Sequence, residues 1–189
     1  MACIVTSPSS SSPFPSFYSC TNGPNSWTFG DDWPNSGEID IIEGVNQESR
    51  NIMALHTNDG CRINGQGQLS LPVTSNCYVN APGQDSNQGC SSKDPRTNSY
   101  GKEFNAMEGG MYAMEWTSWF IKVWFFPRGS IPNDALYGNP EPANWGMPTA
   151  LFQGDCNIDE KFKSHRIVID TTFCGDWAGE EHVWGTSGW

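Results

Sequence analysis

Three carboxylates fall within six residues in the stretch Glu38-Ile39-Asp40-Ile41-Ile42-Glu43. The β-branched residues between them, and the turn-forming Trp33-Pro34-Asn35-Ser36-Gly37 before them, predict a strand over Glu38–Glu43. Side chains alternate across a strand, so Glu38 and Asp40 share one face while Ile39 and Ile41 share the other. Strict alternation would bury Glu43 among the isoleucines, at a desolvation cost of several kcal/mol. One β-bulge at Ile41-Ile42 returns Glu43 to the face of the other two acids, and the spacing therefore predicts a bulge.

Like charges held together raise each other's pKa and repel, so a fold that gathers three acids on one face has a use for them. Glycoside cleavage with retention fits. It needs a carboxylate nucleophile and a protonated carboxyl group about 5–5.5 Å apart, and neighbouring positions on one strand face give roughly that separation. Asp40, lying between the glutamates, can hold a proton or a hydrogen bond that keeps one of them ionised and raises the pKa of the other. For a bare triplet of acids, a solvated strand face or a calcium site is the competing reading.

The elements that must position this strand are β-type. Gly (20), Pro (13) and nine Trp in 189 residues favour strands and tight turns over a helical bundle, and the length suits one domain. A strand over residues 51–57 follows at hairpin distance, and 111–116 with 120–126 read as a second hairpin. Residues 166–172 supply another strand, ended by a turn at 173–179. Residues 58–102 read as long cross-linked loops of the kind that wall a cleft, and 127–148 as a Pro/Asn/Gly-rich excursion. The Ser/Pro tract at 6–16 has little to bury and is expected to be disordered. Trp116, Trp124, Phe125 and Phe126 sit inside alternating strands and are expected in the core, whereas Glu115 fits either a cleft or an exposed strand face.

A formal net charge of −11 disfavours phosphate backbones and anionic membranes as partners, because no Lys/Arg cluster offsets the repulsion. A neutral polysaccharide meets no such repulsion, and aromatic rings with Asn, Gln, Asp and Glu suit its apolar ring faces and hydroxyl edges. Seven cysteines without a CxxC pair favour disulfides over zinc, and so an oxidising compartment. No secretory signal, membrane span or internal repeat is visible, and the odd cysteine count suggests a partner outside this sequence. No cofactor or metal is expected.

The segment Trp33-Pro34-Asn35-Ser36-Gly37-Glu38-Ile39-Asp40-Ile41-Ile42-Glu43-Gly44-Val45-Asn46 resembles the active-site segment of fungal laminarinase-like enzymes in glycoside hydrolase family 16. Further segments resemble the same family in the same order: Met53-Ala54-Leu55-His56-Thr57, Tyr112-Ala113-Met114-Glu115-Trp116-Thr117, and Asp170-Thr171-Thr172-Phe173-Cys174-Gly175-Asp176-Trp177-Ala178-Gly179. The resemblance implies an all-β fold, a jelly-roll sandwich of the concanavalin A-like lectin/glucanase type. It implies Glu38 as nucleophile, Asp40 as assisting acid and Glu43 as general acid/base. Trp33 and Trp177 resemble the cleft tryptophans that stack on glucose, while the register of Trp27 is less fixed. The strand of His56 lies beside the catalytic strand in this family, so its imidazole could contact Glu43 or be a buried, merely hydrogen-bonded histidine.

Relative to that family, several strands before the catalytic one have no counterpart. The expectation is a non-homologous or disordered segment at 1–25 followed by a partial catalytic domain at 26–189, a truncated form of a secreted, monomeric enzyme. The function implied is retaining endo-hydrolysis of 1,3- or mixed 1,3/1,4-β-glucans. The alternatives are β-glucan transglycosylation with the same three acids, or a non-catalytic glucan-binding or inactive remnant.

Overall fold

The computed structural model describes residues 2–6, 21–173 and 175–185. Its twelve described strands are β1 (Ala2–Thr6), β2 (Thr21–Phe29), β3 (Glu38–Glu43), β4 (Ile52–His56), β5 (Cys61–Ile63), β6 (Leu71–Pro72), β7 (Cys90–Lys93), β8 (Gly110–Trp116), β9 (Ile121–Pro127), β10 (Ala150–Phe152), β11 (Gly154–Cys156) and β12 (Arg166–Phe173). A six-stranded antiparallel sheet runs in the order β12-β2-β3-β4-β7-β6, and a four-stranded one in the order β1-β8-β9-β10. A third ladder pairs β11 with β5.

The two larger sheets bury a common core. Ile39, Ile41, Met53 and Leu55 from the six-stranded sheet meet Tyr112, Met114, Ile121, Val123, Phe125 and Phe152 from the four-stranded one. Each contributes alternate residues, the pattern that one buried face demands. The opposite face of the six-stranded sheet carries the residues between them, among them Glu38, Asp40, Ala54 and His56.

The expected hairpin is β8–β9, closed by the Thr117 N–H donating to the Phe120 carbonyl. Trp124 and Phe125 are buried, as core packing predicts, while Trp116 and Phe126 are half-buried. Glu115 pairs with Lys122 at 3.7 Å across β8–β9, on the side of that sheet away from Met114 and the core. The stretch 58–102 is indeed cross-linked, by Cys61–Cys156 and Cys77–Cys90. It nevertheless supplies β5, β6 and β7, and β7 lies inside the sheet against β4. The excursion at 127–148 holds short helical turns at Arg128–Ser130, Asn133–Leu136 and Pro142–Asn144. At the N-terminal side, β1 lies within 1–25 and β2 runs across the expected boundary at 25/26, while residues 7–20, with nearly all of the Ser/Pro tract, fall outside the described residues.

A buried polar group fastens the sandwich beside the cleft sheet. Asp94 is fully buried, and Arg96 holds it with two bonds, Nε to Oδ1 at 2.8 Å and Nη2 to Oδ2 at 2.6 Å. The same guanidinium donates to the Phe125 carbonyl and to Thr149 Oγ1, and lies 4.8 Å from the centre of the Phe125 ring.

Candidate active site

The geometry of β3 follows from its two ladders. Against β4, Asp40 pairs with Ala54 and Glu43 with Ile52, so three steps along β3 match two along its neighbour. Against β2, Asp40 pairs with Trp27 and Ile42 with Ser26, which again leaves one extra residue on β3. This is the bulge that the acid spacing requires. Ile39 and Ile41 stay fully buried in the core, while Glu38, Asp40, Ile42 and Glu43 line one open pocket together with Asn25, Trp27 and Asp170.

A bulge leaves backbone groups without ladder partners, and here a side chain takes them. Asn51, fully buried, donates from Nδ2 to the Ile41 carbonyl at 2.8 Å and accepts the Glu43 N–H on Oδ1 at 2.9 Å. Its own N–H donates to Ser99 Oγ at 3.0 Å. Ser99 Oγ in turn donates to the carbonyl of Arg96, tying the bulge to the Asp94–Arg96 pair.

The pocket holds its acids in an environment that favours protons. Burial pushes the Glu38 carboxyl up to about 7, helped by the charge of Asp40, while His56 and the Trp33 indole pull it back. Burial is likewise the main reason that the Asp40 and Glu43 carboxyls lie well above the usual range; the charges of Asp40 and Glu38 push Glu43 further, and His56 opposes them. Trp33 Nε1 donates to Glu38 Oε2 at 2.5 Å and its ring remains 42% exposed. Among the described residues no side-chain donor reaches the Glu43 carboxyl, so the two glutamates differ in what stabilises their anions.

His56 is buried on β4 opposite Glu38, with Nε2 3.0 Å from Asp40 Oδ2. The contact considered from sequence was with Glu43; the close partner is Asp40, because the bulge carries Glu43 one residue further along β3 and opposite Ile52. The imidazole is wedged in place by Gly89. A Cβ there would lie 2.3 Å from the Leu55 carbonyl and 2.8 Å from His56 Nδ1, and the backbone has φ +62°.

Trp177 lies in a second hollow beyond the Glu43 end of β3, lined also by Val45, Asn46 and Glu48. Asn46 Nδ2 donates to the Ala178 carbonyl at 3.3 Å and joins the two regions. The structure thus gathers Trp33, Glu38, Asp40, Glu43 and His56 at one site and sets Trp177 in the adjoining hollow. Three further pocket residues are not assigned to the site from sequence. Trp27 had an uncertain register, whereas Asn25 and Asp170 sit in strands whose pairing no local signal reveals. Among the described residues, no group of three or more His, Cys, Asp or Glu side chains is placed to hold a metal ion.

A family model described as the XgeA-like catalytic GH16 domain matches residues 14–188. A probable glycosidase of Schizosaccharomyces pombe is 44% identical over 174 residues, which are 90% of this chain and 41% of that protein. An endo-1,3(4)-beta-glucanase of Emericella nidulans is 44% identical over 169 residues, 89% of this chain and 26% of its own length. Laminarinase 16A from Phanerochaete chrysosporium, solved with 6-O-glucosyl-laminaritriose in donor and acceptor sites, superposes with a TM-score of 0.84 at 45% identity, covering 90% of this chain and 58% of that one. An elongating GH family 16 beta-1,3-glucosyltransferase gives 0.77 at 41% identity, covering 86% and 58%. The chain therefore spans less than half the length of these two curated relatives and somewhat over half of these solved neighbours. The architecture shared with those neighbours is the β-jelly-roll sandwich.

Proposed function

Because this chain belongs to glycoside hydrolase family 16, we propose that it carries the catalytic site of a retaining endo-hydrolase of 1,3- or mixed 1,3/1,4-β-glucans. The observation that carries the reading is the bulged strand, which turns Glu38, Asp40 and Glu43 toward one open pocket while burying the isoleucines between them.

In this reading Glu38 attacks the anomeric carbon and Glu43 gives its proton to the departing glycosidic oxygen, leaving a covalent glycosyl–Glu38 ester. Water then attacks the same carbon, losing its proton to Glu43 and releasing Glu38. The surroundings suit these roles. Glu43 is buried beside two other acids and so keeps its proton near neutral pH. Glu38 has the Trp33 indole N–H, which favours its anion. Asp40, between them and 3.0 Å from His56, takes up hydrogen bonding and charge as the proton moves. Trp33, with an exposed indole face beside Glu38, and Trp177 beyond Glu43 are read as platforms for glucose rings on either side of the scissile bond. His56 is read as a site residue that acts through Asp40. We further read the enzyme as a secreted monomer acting on polysaccharide.

Glu38→Gln and Glu43→Gln should each abolish release of reducing sugar from laminarin or lichenan, and proton NMR of early products should show the β-anomer. Substantial turnover in either variant, or an inverted product, would overturn the assignment. A second reading, transglycosylation, is favoured by the similarity to the elongating glucosyltransferase. Sizing the products of laminari-oligosaccharides separates the two, since transfer yields chains longer than the substrate.

A further inference from the structure

We propose that Asn51 is a positioning residue for the reaction, one that sets the reach of Glu43 by closing the backbone of the β3 bulge. This rests on the glycosidase reading above and adds a residue from outside the pocket lining.

The argument starts from what the bulge lacks. An inserted residue breaks the ladder, and the backbone groups left over must find partners or carry a desolvation cost. At this bulge the Ile41 carbonyl and the Glu43 N–H are both met by one amide, which reads each group with the matching atom: Nδ2 donates to the carbonyl and Oδ1 accepts the N–H. A primary amide offers a donor and an acceptor side by side on one planar group that does not titrate, which Asn and Gln supply. Gln would bring that group one methylene further out at a fully buried position, where added volume strains the packing. The clamp is itself fixed, because the Asn51 N–H is held by Ser99 and the Asn51 carbonyl accepts the Asp94 N–H at 2.9 Å. Although Glu43 lies opposite Ile52 across the β3–β4 ladder, its N–H is held by the Asn51 side chain, and the position of its carboxyl depends on that anchor.

Glu38 starts β3 in regular pairing, opposite His56 and Phe29, and has no such dependence. Loosening Asn51 should therefore impair proton delivery by Glu43 more than attack by Glu38. That asymmetry separates positioning from general destabilisation, because a leaving group that departs as a stable anion needs no proton.

The experiment compares kcat/KM, which reports formation of the glycosyl–enzyme, for laminarin and for a 2,4-dinitrophenyl β-laminaribioside. The variants are Asn51→Ala and, as a milder loosening of the anchor, Ser99→Ala, assayed well below their melting temperatures. For Asn51→Ala we expect a loss on laminarin of about a hundredfold, the size of effect that a displacement near 1 Å produces, with no more than a few-fold loss on the activated glycoside. Ser99→Ala should show the same asymmetry at smaller amplitude. Equal losses on both substrates, or none on laminarin, would overturn the assignment. A wild-type protein inert on both substrates would instead overturn the glycosidase reading, and this inference with it.

Discussion

Replacing Glu38 by Gln should stabilise the protein at neutral pH while removing its proposed activity, and the pH dependence of that gain tests the account of the pocket. Burial and the neighbouring charge of Asp40 raise the folded-state carboxyl from 4.5 to about 7. A group whose pKa is raised on folding binds more protons in the folded state than in the unfolded one between those two values. Wild-type stability should therefore fall as pH climbs from 4.5 towards 7 and level off above. At about 1.4 kcal/mol per pH unit, that interval corresponds to roughly 3.5 kcal/mol at most. Gln mimics the neutral acid and does not titrate, so Glu38→Gln should match wild type near pH 4 and exceed it by roughly 2–3 kcal/mol near pH 8. For a chain of this size that corresponds to about 5–10 °C in Tm. Removing the Glu38 charge also relieves Glu43, whose carboxyl it pushes up, so the gain should not be smaller than this. Differential scanning calorimetry of both proteins from pH 4 to 8.5 measures the difference directly. An offset that is constant with pH, or that widens towards acid, would refute the reasoning.

Other outcomes follow from the same contacts. His56→Gln removes the group that opposes the raised carboxyls of Glu38 and Glu43, so the acid limb of the pH profile of kcat/KM on laminarin should move to higher pH. A limb that stays or moves down would contradict the assigned electrostatics. Gly89→Ala should destabilise by about 2–3 kcal/mol in urea denaturation, since it adds a clash with Leu55 and His56 to a left-handed backbone. Gly83→Ala, also at positive φ but with nothing within 4 Å of the added carbon, should cost only about 1 kcal/mol. Arg96→Ala should cost about 3–5 kcal/mol because it leaves the fully buried Asp94 carboxylate without its partner. Equal denaturation midpoints for that variant and wild type would show that water or another group replaces the guanidinium.

Much of the site was legible in sequence because its key signal is local. Alternation along six residues decides which side chains share a face, and the misfit of Glu43 to that alternation demands a bulge whatever the rest of the fold. The β8–β9 hairpin was legible for the same reason, as two runs of β-branched and aromatic residues separated by a short turn. Pairing between distant segments was not. Strand β7 reads Cys-Ser-Ser-Lys, which has little strand propensity of its own, and becomes a strand by lying against β4. Asn25 and Asp170 enter the pocket only because β12 pairs with β2 more than 130 residues away in sequence. The partner of His56 turned on a register that the bulge itself shifts. Asn51, at the start of the strand expected over 51–57, carries no local signal of its role, which exists only because the folded chain brings its amide to the Ile41 carbonyl and the Glu43 N–H. The acids, their shared face and the need for a bulge follow from residue order alone, because those depend on the geometry of one strand. What holds that bulge and how strongly the acids keep their protons arise from packing, because burial and long-range hydrogen bonds exist only once the sheets have come together.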